Sequence, residues 1–182
     1  YAAIGFSDFW RRWHISLSTW LRDYLYIPIG GNKKGPIRTY INLSITMLLG
    51  GLWHGASWTF VVWGGLHGLY LAGERLLREV VPAPNWFARW PFKFAMALLT
   101  YFLVNITWVF FRAQSFDEAW TMLGSMFGAL KGEKVLYLNE IIPAALIIAG
   151  MVLTHWRMRN TTKEAIIENT PPWVIGAVWA FM

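Results

Sequence analysis

The sequence predicts an all-α, polytopic membrane protein, and two observations predict this fold class. Hydrophobic residues make up 56% of the 182 residues and charged residues only 14%, whereas soluble domains carry about 25% charged residues. The charges also avoid long stretches, which lie between Arg38 and Glu74, between Lys93 and Arg112, and between Glu140 and Arg157. A helix that crosses a bilayer needs about 20 mostly apolar residues, so each stretch is expected to hold membrane helices.

The ends of the sequence predict a fragment. Tyr1 is not an initiator methionine, and the apolar run that begins at Trp173 stops at Met182, before it is long enough to cross a bilayer. We therefore expect residues 1–182 to form part of a single transmembrane domain that is truncated at both ends.

The first predicted element is an amphipathic helix over residues 7–26, lying near the membrane surface. Ser7 suits its N-cap and Asp8 its first turn. At about 100° per residue, the apolar side chains share one face: Phe6, Trp10, Trp13, Leu17, Trp20 and Tyr24. Tryptophan and tyrosine favour the headgroup zone, and His14 lies at the boundary between this face and the polar one.

The next segment, IPIGGNKKGP (residues 27–36), is a predicted loop because its prolines and glycines break any helix. Its basic residues Lys33 and Lys34, with Arg38 after them, indicate a cytoplasmic loop, and the alternative is contact with the phosphates of a carrier or coenzyme. Helices are expected over 40–53 and 57–77, unless the first charge-free stretch holds one long span.

The remaining elements follow from the apolar runs and the prolines. Pro82, Pro84 and Pro91 predict a linker. Spans are expected over 92–111 and 139–156, and a fourth span begins at Trp173. A surface helix is expected over 116–129, and the polar stretch from Arg157 to Pro172 is a predicted loop.

The charge and the absence of cysteine exclude several functions. The net charge of +6 indicates basic loops that contact anionic membrane lipids, and no nucleic-acid-binding motif accompanies it. Zero cysteines exclude thiolate ligands and cysteine nucleophiles from this chain. A metal site is disfavoured because no His-x-x-His pair exists and the charge-free stretches contain no carboxylate.

His54 is the histidine that most strongly indicates function. It lies in LLGGLWHGASW, within the first charge-free stretch. A polar ring at membrane depth costs free energy unless it is hydrogen-bonded or faces a cavity. A structural histidine bonded to a neighbouring helix is the alternative, and spacing alone leaves both open. A structural role is favoured for His67, which on one continuous helix would lie about 20 Å from His54, and an interfacial role for His155.

Two long segments resemble the membrane-bound O-acyltransferase (MBOAT) family, in its branch of alginate and other polysaccharide or peptidoglycan O-acetylases. They are FSDFWRRWHISLSTWLRDYLYIPIGGNKKG and LLGGLWHGASWTFVVWGGLHGLY, and ITWVFFRAQSFDEAW is similar to a later stretch of the same branch. The resemblance is strong over residues 5–75 and weaker to about residue 130. It implies an MBOAT-like helical bundle with interfacial amphipathic helices, and catalytic positions at His54 in the WHG motif and His14 in the RWHxSLS motif.

The resemblance implies an enzyme of the bacterial inner membrane that crosses it several times. Such an enzyme moves an acetyl group from a cytoplasmic thioester, acetyl-coenzyme A or an acyl carrier, to hydroxyls of an exported polysaccharide such as alginate. It acts directly or through an extracytoplasmic acetyltransferase partner, and no bound cofactor is implied. The alternatives are D-alanyl transfer to teichoic acid, peptidoglycan O-acetylation, and a non-enzymatic subunit that transports lipid or polymer or has a structural role in polysaccharide export.

Within that chemistry, His54 is expected to be the general base, because a neutral imidazole with a pKa of about 6.5 can accept a hydroxyl proton near neutral pH. His14 is expected to polarise the thioester carbonyl, orient the acceptor or hydrogen-bond to His54. Five further residues are candidates for substrate binding, the serines and the asparagine as donors and the tryptophans as walls: Ser16, Ser18, Asn42, Trp13 and Trp53.

Overall fold

The computed structural model describes residues 3–81, 89–128 and 137–157, with residues 165, 168, 170–174 and 176. Over these residues the chain is helical with turns and has no strand, which confirms the predicted all-α class. The elements are α1 (Phe6–Arg12), α2 (Ile15–Trp20), a π-helix (Leu21–Tyr26), α3 (Gly35–Trp53), α4 (Trp58–Val80), α5 (Trp90–Arg112), α6 (Phe116–Met126) and α7 (Leu138–Arg157). Helices α1 to α6 belong to one compact unit and α7 to a second.

Helices α3 and α4 form an antiparallel pair with the most extensive contact between any two described helices. A Cβ atom at Gly51 would lie 2.3 Å from the Phe60 carbonyl oxygen, and one at Gly64 would lie 2.3 Å from the Met47 carbonyl oxygen. Glycine is therefore required at both positions, since any side chain would push the two backbones apart. The first charge-free stretch thus holds two helices, and they separate after Trp53 rather than at the glycines.

The predicted single helix over residues 7–26 is wrong. Helix α1 ends at Arg12, Trp13 is extended, and His14 adopts the left-handed conformation with φ 46° and ψ 52°. The chain continues as the short α2 and then as the π-helix. Because the break and the change of helical pitch rotate the later side chains, Trp20 and Tyr24 are exposed instead of continuing the buried face of α1.

The predicted N-cap is also wrong, because α1 begins one residue earlier than expected. Gly5 occupies the N-cap position and Ser7 lies inside the helix, although Asp8 does lie in the first turn as predicted. On the predicted apolar face, Phe6 and Trp10 are buried. Leu17 of α2 is buried as well, so the predicted face is lost only from Trp20 onwards.

Two prolines that were expected to lie outside helices occupy first turns instead. Helix α3 begins at Gly35, before the predicted start at residue 40, and Pro36 lies in its first turn. Pro91 likewise lies in the first turn of α5. Proline is tolerated there because a first-turn N–H has no partner within the helix, so its loss costs no hydrogen bond.

The described residues include two helices that are long and apolar enough to cross a membrane, Trp90–Arg112 and Leu138–Trp156. They coincide with the predicted spans over 92–111 and 139–156. The predicted linker around Pro82 and Pro84, most of the predicted loop 157–172, and nearly all of the apolar run from Trp173 lie outside the described residues.

The core of the first unit is aromatic, and it positions α1. Phe6, Phe9 and Trp10 of α1 are buried together with Trp63 of α4 and Phe110 of α5. Aromatic side chains bury large areas and favour edge-to-face contacts. Helix α1 is therefore held against α4 and α5 by side-chain packing, although it is only 7 residues long.

Candidate active site

His54 lies in the turn that connects α3 to α4. Its backbone N–H donates to the Gly51 carbonyl (3.0 Å), and its ring meets Trp63 edge-to-face at a centroid distance of 5.2 Å and Phe111 at 5.0 Å. The Nε2 atom of His54 is buried and makes no hydrogen bond to any residue that the structure describes. Within the described part of the chain, this ring nitrogen therefore keeps its hydrogen-bonding capacity unused.

Burial lowers the pKa of the His54 imidazole below its ordinary value of 6.5, and the nearby His14 lowers the pKa further. His54 lies outside the two helices that qualify as membrane spans. Both causes disfavour the imidazolium form, since a charged ring loses hydration on burial and is repelled by a second positive ring. At neutral pH the ring is uncharged, which is the form that accepts a proton.

His14 occupies the break between α1 and α2. Among the described residues it is the one non-glycine residue with a positive φ, a conformation that costs roughly 1–2 kcal/mol for a residue with a side chain. Backbone strain of this kind clusters at functional sites, where the surrounding structure maintains it. The His14 ring is exposed and contacts Trp13 edge-to-face at 5.5 Å.

The two histidines contact one group of aromatic rings that meet edge-to-face, here called the aromatic wall: Trp13, Trp63, Trp108 and Phe111. The centroid of Trp13 lies 5.5 Å from that of Trp108 and 6.4 Å from that of Trp63. His14 contacts the wall through Trp13, and His54 through Trp63 and Phe111. The aromatic wall thus lies in contact with both the His14 and the His54 imidazole, although the two residues are far apart in the sequence.

A direct hydrogen bond through Nε2 of His54 is not part of this arrangement, because that atom has no partner among the described residues. One of the three predicted roles of His14, a hydrogen bond to His54, is therefore not seen through this nitrogen.

His67 also packs against Trp63, with ring centroids 4.7 Å apart. The expected separation of about 20 Å between His54 and His67 assumed one continuous helix and does not apply, because the chain reverses between Trp53 and Trp58. Nε2 of His67 lies 3.0 Å from Oγ1 of Thr107, whose hydroxyl donates to the Val104 carbonyl. His67 is fully buried and bonded to α5, as the favoured structural interpretation predicts.

The predicted substrate-binding residues have different surroundings. Ser16 is exposed on α2, and the Ser18 hydroxyl donates to the Ile15 carbonyl (3.0 Å). Ser18 also lines an apolar cavity of about 150 Å³ between the π-helix, α3 and α4. Trp13 belongs to the aromatic wall, and Trp53 meets the His54 ring edge-to-face at 5.0 Å.

Asn42 is buried on α3 and holds the loop that precedes this helix. Its Nδ2 atom donates to the Gly31 carbonyl (3.0 Å), while its Oδ1 atom is buried without a partner among the described residues. The structure thus gives Asn42 a role in anchoring the glycine-containing loop. A direct contact between Asn42 and substrate stays a prediction.

The sequence reasoning missed three members of the aromatic wall, Trp63, Trp108 and Phe111. Trp63 lies in the segment LLGGLWHGASWTFVVWGGLHGLY, which carries the resemblance, but its contact with His54 depends on the reversal of the chain between α3 and α4. Trp108 and Phe111 lie in the segment ITWVFFRAQSFDEAW, so its resemblance to the O-acetylase branch was a usable signal. The described residues contain no cluster of three or more His, Cys, Asp or Glu that would hold a metal ion.

Comparisons with known proteins cover the region that contains both histidines. The model of the membrane-bound O-acyltransferase family matches residues 3–92. The probable alginate O-acetylase of Azotobacter vinelandii is 46% identical over 165 residues, which are 88% of this chain and 32% of the relative. The corresponding protein of Pseudomonas putida is 46% identical over 169 residues, which are 91% of this chain and 34% of the relative.

A relative that is named for a different acceptor is also similar. The peptidoglycan O-acetyltransferase of Helicobacter pylori is 42% identical over 145 residues, which are 77% of this chain and 26% of the relative. The chain spans about a third of the length of the alginate O-acetylases that it matches. On the family match and on the identity over most of its length, the chain belongs to the membrane-bound O-acyltransferase family.

Proposed function

We propose that this chain carries the catalytic centre of an O-acyltransferase that moves an acetyl group from a thioester to hydroxyls of an exported polysaccharide such as alginate. The observation that carries the proposal is the buried, unpartnered Nε2 of His54 beside the aromatic wall. Identities of 46% to probable alginate O-acetylases support the acetyl group and the polysaccharide acceptor.

In the proposed reaction, His54 is the general base. The acceptor hydroxyl oxygen attacks the carbonyl carbon of the thioester while Nε2 of His54 takes the hydroxyl proton. The carbon–sulfur bond then breaks, and the imidazolium returns the proton to the leaving sulfur, so that the products are an ester and a thiol. General base catalysis by a positioned imidazole is worth about 10²–10⁴-fold in rate.

The proposed partner of the His14 ring is the substrate, and not the His54 ring. His14 is exposed, and its ring contacts Trp13 of the aromatic wall. In this position a ring N–H of His14 donates to the thioester carbonyl oxygen, where negative charge develops during the attack. A donor aimed at such an oxygen stabilises the transition state more than the ground state.

The proposal extends to the substrates and the location. The donor is acetyl-coenzyme A or an acyl carrier on the cytoplasmic side, and an extracytoplasmic acetyltransferase is the partner that completes delivery to the polymer. The intact protein is a multi-pass protein of the bacterial inner membrane. The exposed basic residues Lys33, Lys34 and Arg38 support a cytoplasmic position of the loop before α3, because cytoplasmic loops are enriched in lysine and arginine.

Peptidoglycan is the second candidate acceptor. The observation that favours it is the 42% identity to the peptidoglycan O-acetyltransferase of Helicobacter pylori. The chemistry at His54 is the same for both acceptors, because each supplies a sugar hydroxyl. The two candidates therefore differ only in the polymer that becomes labelled.

A transfer assay in membranes tests the proposal. Membrane vesicles that contain the intact protein are supplied with acetyl-coenzyme A labelled in the acetyl group, and ester-linked label is measured in the polysaccharide and in peptidoglycan. His54→Ala is expected to lower transfer by about 10²-fold or more, with label in the polysaccharide in the wild type. Label in peptidoglycan alone would select the second acceptor.

His155→Gln is the matched control, because it removes a histidine of α7 that is not a member of the aromatic wall. The amount of each variant in the membrane is measured by immunoblot, so that a loss of activity is separated from a loss of protein. Transfer near the wild-type rate in His54→Ala would remove His54 from the mechanism.

A further inference from the structure

Glu74 of α4 makes two hydrogen bonds to the first turn of α1. Its Oε2 atom accepts the backbone N–H of Phe6 (2.5 Å) and of Ser7 (3.0 Å). The first N–H groups of a helix have no partner within it and require an acceptor from elsewhere. The N-cap residue Gly5 has no side chain and provides none, so a carboxylate from another helix takes the place of the cap.

The surroundings of Glu74 show that this contact is tightly packed. The Glu74 side chain is only 13% exposed and forms an ion pair with Arg78, which is 64% exposed. Gly5 has φ +90°, and a Cβ atom at this position would lie 2.9 Å from the Glu74 carboxylate. The backbone N–H of Gly5 donates to Thr100 of α5 (2.9 Å). The start of α1 is thus fixed to α4 and α5 at adjacent residues.

This anchor determines where the following residues lie. A helix of 7 residues is not stable alone, since isolated helices shorter than about 12–15 residues are marginal in water. Its position therefore depends on tertiary contacts such as those of Glu74. Trp13 and His14 follow α1 directly, so a shift of α1 moves both residues relative to Trp63, Trp108 and Phe111.

We infer that Glu74 is a positioning residue for His14, acting through the amides of Phe6 and Ser7 at the start of α1. The inference rests on the proposed function, because it matters for turnover only if His14 takes part in acyl transfer. The negative charge of Glu74 at the N-terminus of α1 also suits the helix dipole.

Four single variants of the intact protein test the inference. Glu74→Leu removes the acceptor, and Glu74→Gln keeps one carbonyl oxygen that can accept the two amides. Arg78→Ala removes the ion pair but leaves the amide contacts, and Glu79→Leu removes a carboxylate that bonds to Tyr40 and Arg75 instead. We expect kcat to fall about tenfold or more in Glu74→Leu, since small misplacements of a reacting group can cost up to about 10²-fold in rate. Glu74→Gln should recover part of this loss. Arg78→Ala and Glu79→Leu, the two controls, should keep near wild-type rates.

A double-mutant cycle with His14→Asn separates positioning from general stability. Asparagine tolerates the left-handed conformation and removes the imidazole. If Glu74 acts through His14, Glu74→Leu has little further effect on kcat in the His14→Asn background. An equal loss of kcat in both backgrounds would overturn the inference, because Glu74 would then act on the fold as a whole.

Hydrogen exchange adds a readout that does not depend on activity. Amides of residues 6–12 are expected to exchange faster in Glu74→Leu than in Arg78→Ala, and unchanged exchange in Glu74→Leu would overturn the anchoring step. If His14→Asn is slow but Glu74→Leu keeps the wild-type kcat, only this inference fails. If His14→Asn itself transfers acetyl at the wild-type rate, the proposed role of His14 fails first and the inference with it.

Discussion

Helices α4 and α7 have similar lengths, 23 and 20 residues, but they differ in what they bury. Helix α4 buries Trp63, Gly64 and His67 and ends in charged residues. Helix α7 is apolar enough to cross a membrane, and none of its most apolar window is buried within the described structure. The comparison teaches that apolar composition identifies a helix suited to lipid, such as α7. The candidate catalytic residue His54 instead lies beside a helix, α4, whose side chains pack against other helices.

The physical reason lies in the surroundings that each helix requires. A helix in lipid satisfies its own backbone hydrogen bonds and needs only apolar side chains on its surface. Helix α4 instead touches the backbone of α3 at Gly64 and is linked to α5 through His67 and Thr107. Its side chains meet specific partners at close-packed distances, so substitutions in α4 are expected to cost more than substitutions in α7.

The largest effect is expected from Gly64→Val at the crossing of α3 and α4. A Cβ atom there would lie 2.3 Å from the Met47 carbonyl oxygen, and this backbone atom cannot move without separating the helices. We expect the variant to lose most folded protein, measured as the monodisperse fraction after detergent extraction and as the melting temperature. Overpacking of this kind costs about 1–3 kcal/mol or more.

Gly73→Ala is the matched control on the same helix. A Cβ atom at Gly73 meets nothing within 4 Å, and alanine favours the helix by about 1 kcal/mol relative to glycine. This variant is expected to be as stable as the wild type or more stable. Equal yields and melting temperatures for Gly64→Val and Gly73→Ala would contradict the close approach of α3 and α4.

The second effect concerns turnover rather than folding. His14→Asn is expected to lower kcat about 10²-fold, the usual cost of losing one donor to a developing oxyanion, while KM for acetyl-coenzyme A changes little. The melting temperature should stay near that of the wild type, since the side chain is exposed. An unchanged kcat would make His14 a structural residue of the break between α1 and α2.

The smallest effect is expected on α7. Ile147 is 64% exposed in the described structure, so Ile147→Ala should change the free energy of unfolding by less than about 0.5 kcal/mol and leave transfer unchanged. Trp63→Ala on α4, where the side chain is only 1% exposed, should cost clearly more than Ile147→Ala, because it leaves a cavity in the core. Similar losses of unfolding free energy in Ile147→Ala and Trp63→Ala would contradict the difference in packing between α7 and α4.

The sequence predicted those parts of the fold that depend on local composition. Apolar runs located α5 and α7, and His54 stood out because it is polar within a charge-free stretch. The start of α3 was missed because Gly35 and Pro36 were interpreted as helix breakers, although proline in a first turn is common. The start of α3 could therefore have been predicted from the sequence, by allowing proline in the first turn of the helix.

The break at His14 and the anchor at Glu74 have no comparable local signal. A left-handed histidine is maintained by the packing of α1 against α4 and α5, and Glu74 contacts Phe6 across 68 positions of the sequence. The aromatic wall likewise depends on the reversal between α3 and α4. Such features are set by tertiary contacts, so periodicity and propensity could not predict them.

The pH dependence of kcat/KM in membranes tests the role of His54 most directly, since this profile reports the pKa of the free enzyme. Burial and His14 lower the pKa of His54 below 6.5, and only the neutral ring accepts a proton. Activity should therefore reach a plateau as the pH rises past the lowered pKa and fall as the pH drops through it. His14→Asn should move that midpoint upward, because it removes one cause of the shift.

The result that supports the account is an acidic limb with a midpoint below 6.5 that rises in His14→Asn and disappears from the residual activity of His54→Ala. A midpoint above 6.5, or the same limb in the residual activity of His54→Ala, would contradict it, because the titrating base would then be another group.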